Sequence, residues 1–163
     1  MKRPAGYTRT QIALHWLVFL LVAAQFLLHE SIAEAWDKFQ DGVAVEFSLL
    51  IASHVVGGIL ILVFGIWRIA IKIRRGAPAL PDSEPRLQQI IGHATQGLLY
   101  LLMILMPVSG MVAWFGGVAL AAQGHEAMRI VLLALVVLHI LGALYHRIVL
   151  KSGVMERMLR PES

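Results

Sequence analysis

The chain has 163 residues, the length of one domain, but 58% are apolar and only 15% charged, against roughly 25% charged in a soluble protein. Mean hydropathy is +0.74, so the net charge of +4 comes with too little polar surface for a nucleic-acid partner. The absence of Cys excludes disulfides, thiolate metal sites, iron–sulfur clusters and covalently attached c-type haem. Any redox or metal chemistry therefore falls to the seven His, to Met or carboxylates, or to a bound cofactor.

The first uncharged stretch covers residues 11–28. His15 and Gln25 interrupt it and no small-x-small cleavage site follows, so it reads as a span rather than a cleaved leader. The next connection is acidic, with Glu30, Glu34, Asp37, Asp41 and Glu46 against Lys38. Further uncharged stretches cover 47–67, 87–125 and 130–146. A bilayer crossing takes about 20 mostly apolar residues, which predicts four spans near 11–29, 47–70, 90–114 and 126–149. Lipid leaves no partner for free backbone polar groups, so each span should be helical. The expectation is an all-α, integral membrane four-helix bundle forming a single domain over residues 1–163. Pro107 and Gly110 in the third span suggest a kink, and residues 74–85, with three Pro, read as an exposed loop.

The basic residues fall on one side. Lys2, Arg3 and Arg9 precede the first span; Arg68, Lys72, Arg74, Arg75 and Arg86 surround the middle connection; Arg147, Lys151, Arg157 and Arg160 follow the last span. That is 12 of 14, which by the positive-inside rule predicts both termini and the middle connection on the cytoplasmic side.

Polar side chains inside spans are costly and usually functional, and here they are nearly all His. His125 and His139 lie 14 residues apart. Fourteen helical residues bring them within roughly 40° of the same face and about 21 Å apart along the axis. Two cofactors stacked across a bilayer about 30 Å thick fit that separation. Depth supplies partners: His15 and His139 lie near the cytoplasmic side, His54 and His125 on the outer half. His29, 14 residues after His15, competes with His54 for the upper layer. His93 and His146 lie near the cytoplasmic surface, suited to hydrogen bonding or an interfacial position.

Arg68 lies 14 residues after His54, level with His139, so the second helix must continue to about Arg75. A charge at that depth needs a partner, either a haem propionate or a lipid phosphate reached by snorkelling. Gly57 and Gly58 share the His54 face. They either let a porphyrin approach the backbone or allow close helix packing. Arg129, one turn past His125, can guide an anion, bind a propionate or pair with Glu126. Membrane His can also hydrogen-bond across helices or relay protons. A non-haem proton relay or transporter, however, requires no 14-residue spacing.

Four segments carry a resemblance. YTRTQIALHW (residues 7–16), SHVVGGILILVFGIWR (53–68), HATQGLLYLLMILMPVSG (93–110) and GHEAMRIVLLALVVLHILGALYH (124–146) resemble, in this order, motifs of the bacterial cytochrome b-561 family. The resemblance implies two b-type haems, one held by His15 and His139 and one by His54 and His125, which displaces His29. It implies a multi-pass protein of the bacterial inner membrane that transfers electrons between a periplasmic-side partner and quinone, with superoxide:ubiquinone oxidoreductase as the favoured activity. A cytochrome b subunit anchoring a periplasmic dehydrogenase or hydrogenase is the alternative. Two imidazoles saturate a haem iron, so such chemistry runs at the haem edge and the protein sets position, potential and access. The net negative first outer loop sits awkwardly with an anionic substrate.

Overall fold

The computed structural model describes residues 4–78 and 85–162. Its described residues form an all-helical bundle, and four of its helices are long and apolar enough to cross a membrane. Helix α1 (Arg9–Leu27) starts on a reciprocal cap. Gln11 N–H donates to Thr8 Oγ1 (3.2 Å), and Thr8 N–H donates to the Gln11 side chain (3.0 Å). Helix α2 (His29–Gln40) follows at once. Helix α3 (Leu49–Arg75) is capped by Ser48 and ends at Gly76, whose φ of 84° few other residues adopt readily. Helix α4 (Arg86–Gly116) runs through Pro107 without interruption. Helix α5 (Ala119–Tyr145) continues into a wider π turn at His146–Leu150.

The apolar surface faces outward. Leu20, Ile66, Leu120 and Ile130 are each more than half exposed, while the buried core is a thin line including Leu14, Val18, Ile61, Leu102 and Leu132. In water that arrangement would expose a large apolar patch; in lipid it costs nothing.

Two elements differ from the sequence expectation. The acidic connection between the first two spans contains α2, an amphipathic helix. Helix α5 begins at Ala119, seven residues before the expected 126, because Ala-Leu-Ala-Ala-Gln is strongly helix-forming. The α4–α5 connection therefore shrinks to Gly117, in the left-handed region (φ 66°), and Val118. At about 1.5 Å per residue, α4 and α5 exceed the hydrocarbon thickness of about 30 Å. Helix α2 leans against this longer hairpin: His29 at its start lies 3.7 Å from Glu126, and a Cβ at Gly117 would lie 3.6 Å from Phe39 near its end.

Both termini meet at the opposite end of the bundle. Glu162 N–H donates to Tyr7 carbonyl O (2.9 Å), and Glu162 pairs with Arg75 (2.6 Å). Trp16 donates its indole N–H to Met158 carbonyl O (3.0 Å).

Candidate haem sites

Three helices bring four His into two pairs. At the end bearing the termini, His15 of α1 faces His139 of α5, with ring centres 6.1 Å apart. At the α2 end, His54 of α3 faces His125 of α5 at 6.4 Å. An imidazole nitrogen binds a first-row metal at about 2 Å and lies about 1 Å from its own ring centre. Two imidazoles on opposite sides of one metal ion therefore have centres about 6 Å apart. Among the described residues no three His, Asp or Glu converge in a way that could hold a metal ion. Pairs, not triads, suit an iron whose remaining ligands come from a macrocycle.

His29 also approaches His54, at 6.3 Å, so distance alone does not separate it from His125. The surroundings of the two rings do. His29 Nε2 is turned to Glu126 (3.7 Å). His125 Nδ1 lies 2.9 Å from the Met106 carbonyl O and 3.2 Å from Ser109 Oγ. A carbonyl only accepts, so Nδ1 carries the proton and Nε2 keeps its lone pair for a metal. Gly110 makes room for this ring, since a Cβ there would stand 3.2 Å from His125 Cε1 and Nδ1. The sequence reading saw Gly110 only as a kink marker. The PVSG segment instead seats His125, a contact that nothing in the local pattern announces.

The α2-end pair borders a cavity of about 640 Å³, whose lining includes Gln25, Trp36, Gly58, Met106 and Arg129 as well as His54 and His125. Its size suits a cofactor. The two glycines after His54 divide the readings open to them. A Cβ at Gly57 would overlap the Gln25 amide, so Gly57 serves α1–α3 packing; Gly58 meets nothing within 4 Å and borders the cavity. Arg129 pairs with Glu126.

Arg68 reaches the other pair. Its Nη2 lies 3.3 Å from His15 Nδ1, and its Cζ lies 5.7 Å from the Tyr100 ring centre. Its Nε and Nη1, like His54 Nδ1, are buried and lack a hydrogen-bond partner. Nearby, burial holds the Tyr7 phenol above its usual pKa, so it stays a neutral donor. His93 Nδ1 donates to the Gln89 carbonyl O of its own helix (2.6 Å). His146 Nδ1 contacts Ser152 Oγ (3.0 Å) at the π turn.

Four apolar helices, three of them contributing to two facing imidazole pairs, define a membrane-embedded cofactor protein. The chain belongs to the prokaryotic cytochrome b561 family, whose model matches residues 6–161. It is 39% identical to "Cytochrome b562" of Cereibacter sphaeroides, covering 99% of each chain. It is 27% identical to "Probable superoxide oxidase CybB" of Yersinia pestis, covering 94% of this chain and 95% of that one. "Cytochrome b561 homolog 1" of Escherichia coli K12 is 25% identical over 94% and 96%. The chain is thus a multi-pass electron-transfer cytochrome b of the bacterial inner membrane, and the family implies haem b. The residues present fit that group: paired imidazoles at the right separation, a glycine-lined cavity, and orphaned guanidinium donors where a carboxylate would be welcome.

Proposed function

We propose that the protein holds two haem b groups, one between His15 and His139 and one between His54 and His125, and moves single electrons between a periplasmic-side donor and ubiquinone. The two matched ring separations, 6.1 and 6.4 Å, carry this reading. When bound, haem supplies reversible one-electron chemistry at iron. The chain's own residues do the rest. Helix α5 fixes the spacing between layers through His125 and His139. Met106 and Ser109 hold the His125 tautomer, and Arg68 offers positive charge beside His15.

For the reaction itself we propose superoxide:ubiquinone oxidoreduction. Two superoxide anions each lose one electron and leave as dioxygen; the two electrons, with two protons, convert quinone to quinol. The relative from Yersinia pestis supports this by its name. A second reading, a cytochrome b serving a periplasmic redox protein, is favoured by one observation. Glu30, Glu34, Asp37 and Asp41 form an exposed stripe along α2 and just past its end, which repels an anion and suits a basic protein. Membership in a cytochrome family favours both over the proton relay.

Haem analysis of the purified protein tests the cofactor reading. Two haems per chain are expected, and His54→Ala should retain one of them. One haem in the wild type, or two in the variant, would reject the assignment. Quinone reduction by superoxide, compared with haem-free controls, separates the two functional readings: no excess over the controls favours the protein partner.

A further inference from the structure

Next to the His15–His139 pair lies a second basic residue that the haem reading does not use. Lys72 follows Arg68 by four residues on α3, so the two share one helix face. Both face Tyr100 of α4: the Lys72 Nζ is 4.6 Å and the Arg68 Cζ 5.7 Å from its ring centre. Both are partly buried. Among the described residues the carboxylates within 4 Å of a basic side chain are Glu162, beside Arg75, and Glu126, beside Arg129 and His29, so no described carboxylate neutralises Arg68 or Lys72. Two like charges one turn apart oppose each other, and cations within a membrane bundle call for an anion. The electron-rich Tyr100 face offsets part of that cost but accepts no ionic hydrogen bond.

The geometry points to a two-cation carboxylate clamp, Arg68 and Lys72 set apart by Tyr100, that receives the paired carboxylates of the porphyrin held by His15 and His139. This rests on the haem reading above. Arg68 provides the link, because its Nη2 touches His15 while its Nε and Nη1 remain buried and unpartnered. These free donors sit on a residue already in contact with His15, so they are available to an anion beside that imidazole. Lys72, one turn nearer the end bearing the termini, extends the same positive strip. A phospholipid phosphate has the same chemistry and is the other source of anion for Lys72.

Redox titration of the two haems tests the clamp, with Lys72→Gln and Lys72→Arg each measured delipidated in detergent and in nanodiscs containing phosphatidylglycerol. Positive charge stabilises the reduced haem. In Lys72→Gln the potential of one haem should therefore fall in both media, the other haem should not move, and Lys72→Arg should restore the wild-type value. Two haems with unchanged potentials in Lys72→Gln would overturn the clamp and leave the haem reading intact. A shift seen only with phosphatidylglycerol would assign Lys72 to lipid and likewise overturn it. Wild-type protein without two haems would instead remove the reading on which the clamp rests.

Discussion

His125 is held more fully than any other proposed ligand, and its hold can be tested one atom at a time. A methyl group at Gly110 would stand 3.2 Å from the ring, closer than comfortable contact, while the Met106 carbonyl and Ser109 keep the ring from turning aside. Ala is favoured over Gly in a helix by about 1 kcal/mol, but overpacking costs about 1–3 kcal/mol. At this position the second effect wins, because the bonds to Met106 and Ser109 hold the ring against Gly110 and moving it would break them. Gly110→Ala is expected to lose most of the haem at the α2 end and keep the other, read from haem content and the reduced spectrum. Gly92→Ala on the same helix meets nothing within 4 Å and should leave both haems in place. Equal haem content in the two variants would show that Gly110 does not seat the ligand. These contacts also mark the limit of the sequence. An imidazole stands out in an apolar run because it is costly there, so His15, His54, His125 and His139 could be singled out. The contact between Gly110 and His125 spans 15 positions and two helices, and no periodicity encodes it.

Helix α2 is where element-level reading fell short, and it bears on access to the site. Twelve residues with many charges resemble a loop when the search is for apolar spans. Their inner face, however, contributes Ile32, Ala33 and Trp36 to the wall of the cavity, and tertiary contact stabilises a helix too short to stand alone. The start of α5 was hidden for a related reason. Val118 makes no side-chain cap, so good helix formers begin there without a start signal. The outer face of α2 presents acids at 30, 34 and 37, with Asp41 just beyond. If superoxide enters past this face, association is slowed by repulsion that salt screens. Superoxide-driven quinone reduction should then rise with ionic strength. Replacing the four acids by their amides should raise the low-salt rate by about tenfold, within the range that steering fields produce, and flatten the salt dependence. A wild-type rate that falls with salt would mean that α2 does not control entry.

Across the whole molecule, charge and architecture agree on a polarity. The two termini are joined at one end by Glu162, Arg75 and Tyr7, and α2 and the short α4–α5 connection mark the other. The end bearing the termini holds Arg9, Arg74, Arg75, Arg147, Lys151, Arg157 and Arg160, whereas the far end holds the acidic stripe. Moving a cluster of Arg and Lys across a bilayer is costly, and orientation follows their excess in short connections near the spans. The clamp at Arg68 and Lys72 gains from the same arrangement, since it lies on the side where anionic headgroups and basic side chains meet. Both termini are therefore expected in the cytoplasm, with α2 in the periplasm. Fluorescent protein fused after Ser163 should fold and fluoresce, because it matures in the cytoplasm but not after export through the general secretory route. Alkaline phosphatase inserted between Asp41 and Glu46 should be active, because its disulfides form only outside. The reverse pattern would invert the bundle, place the His15–His139 pair on the periplasmic side, and make the basic end rather than α2 the face that a donor meets.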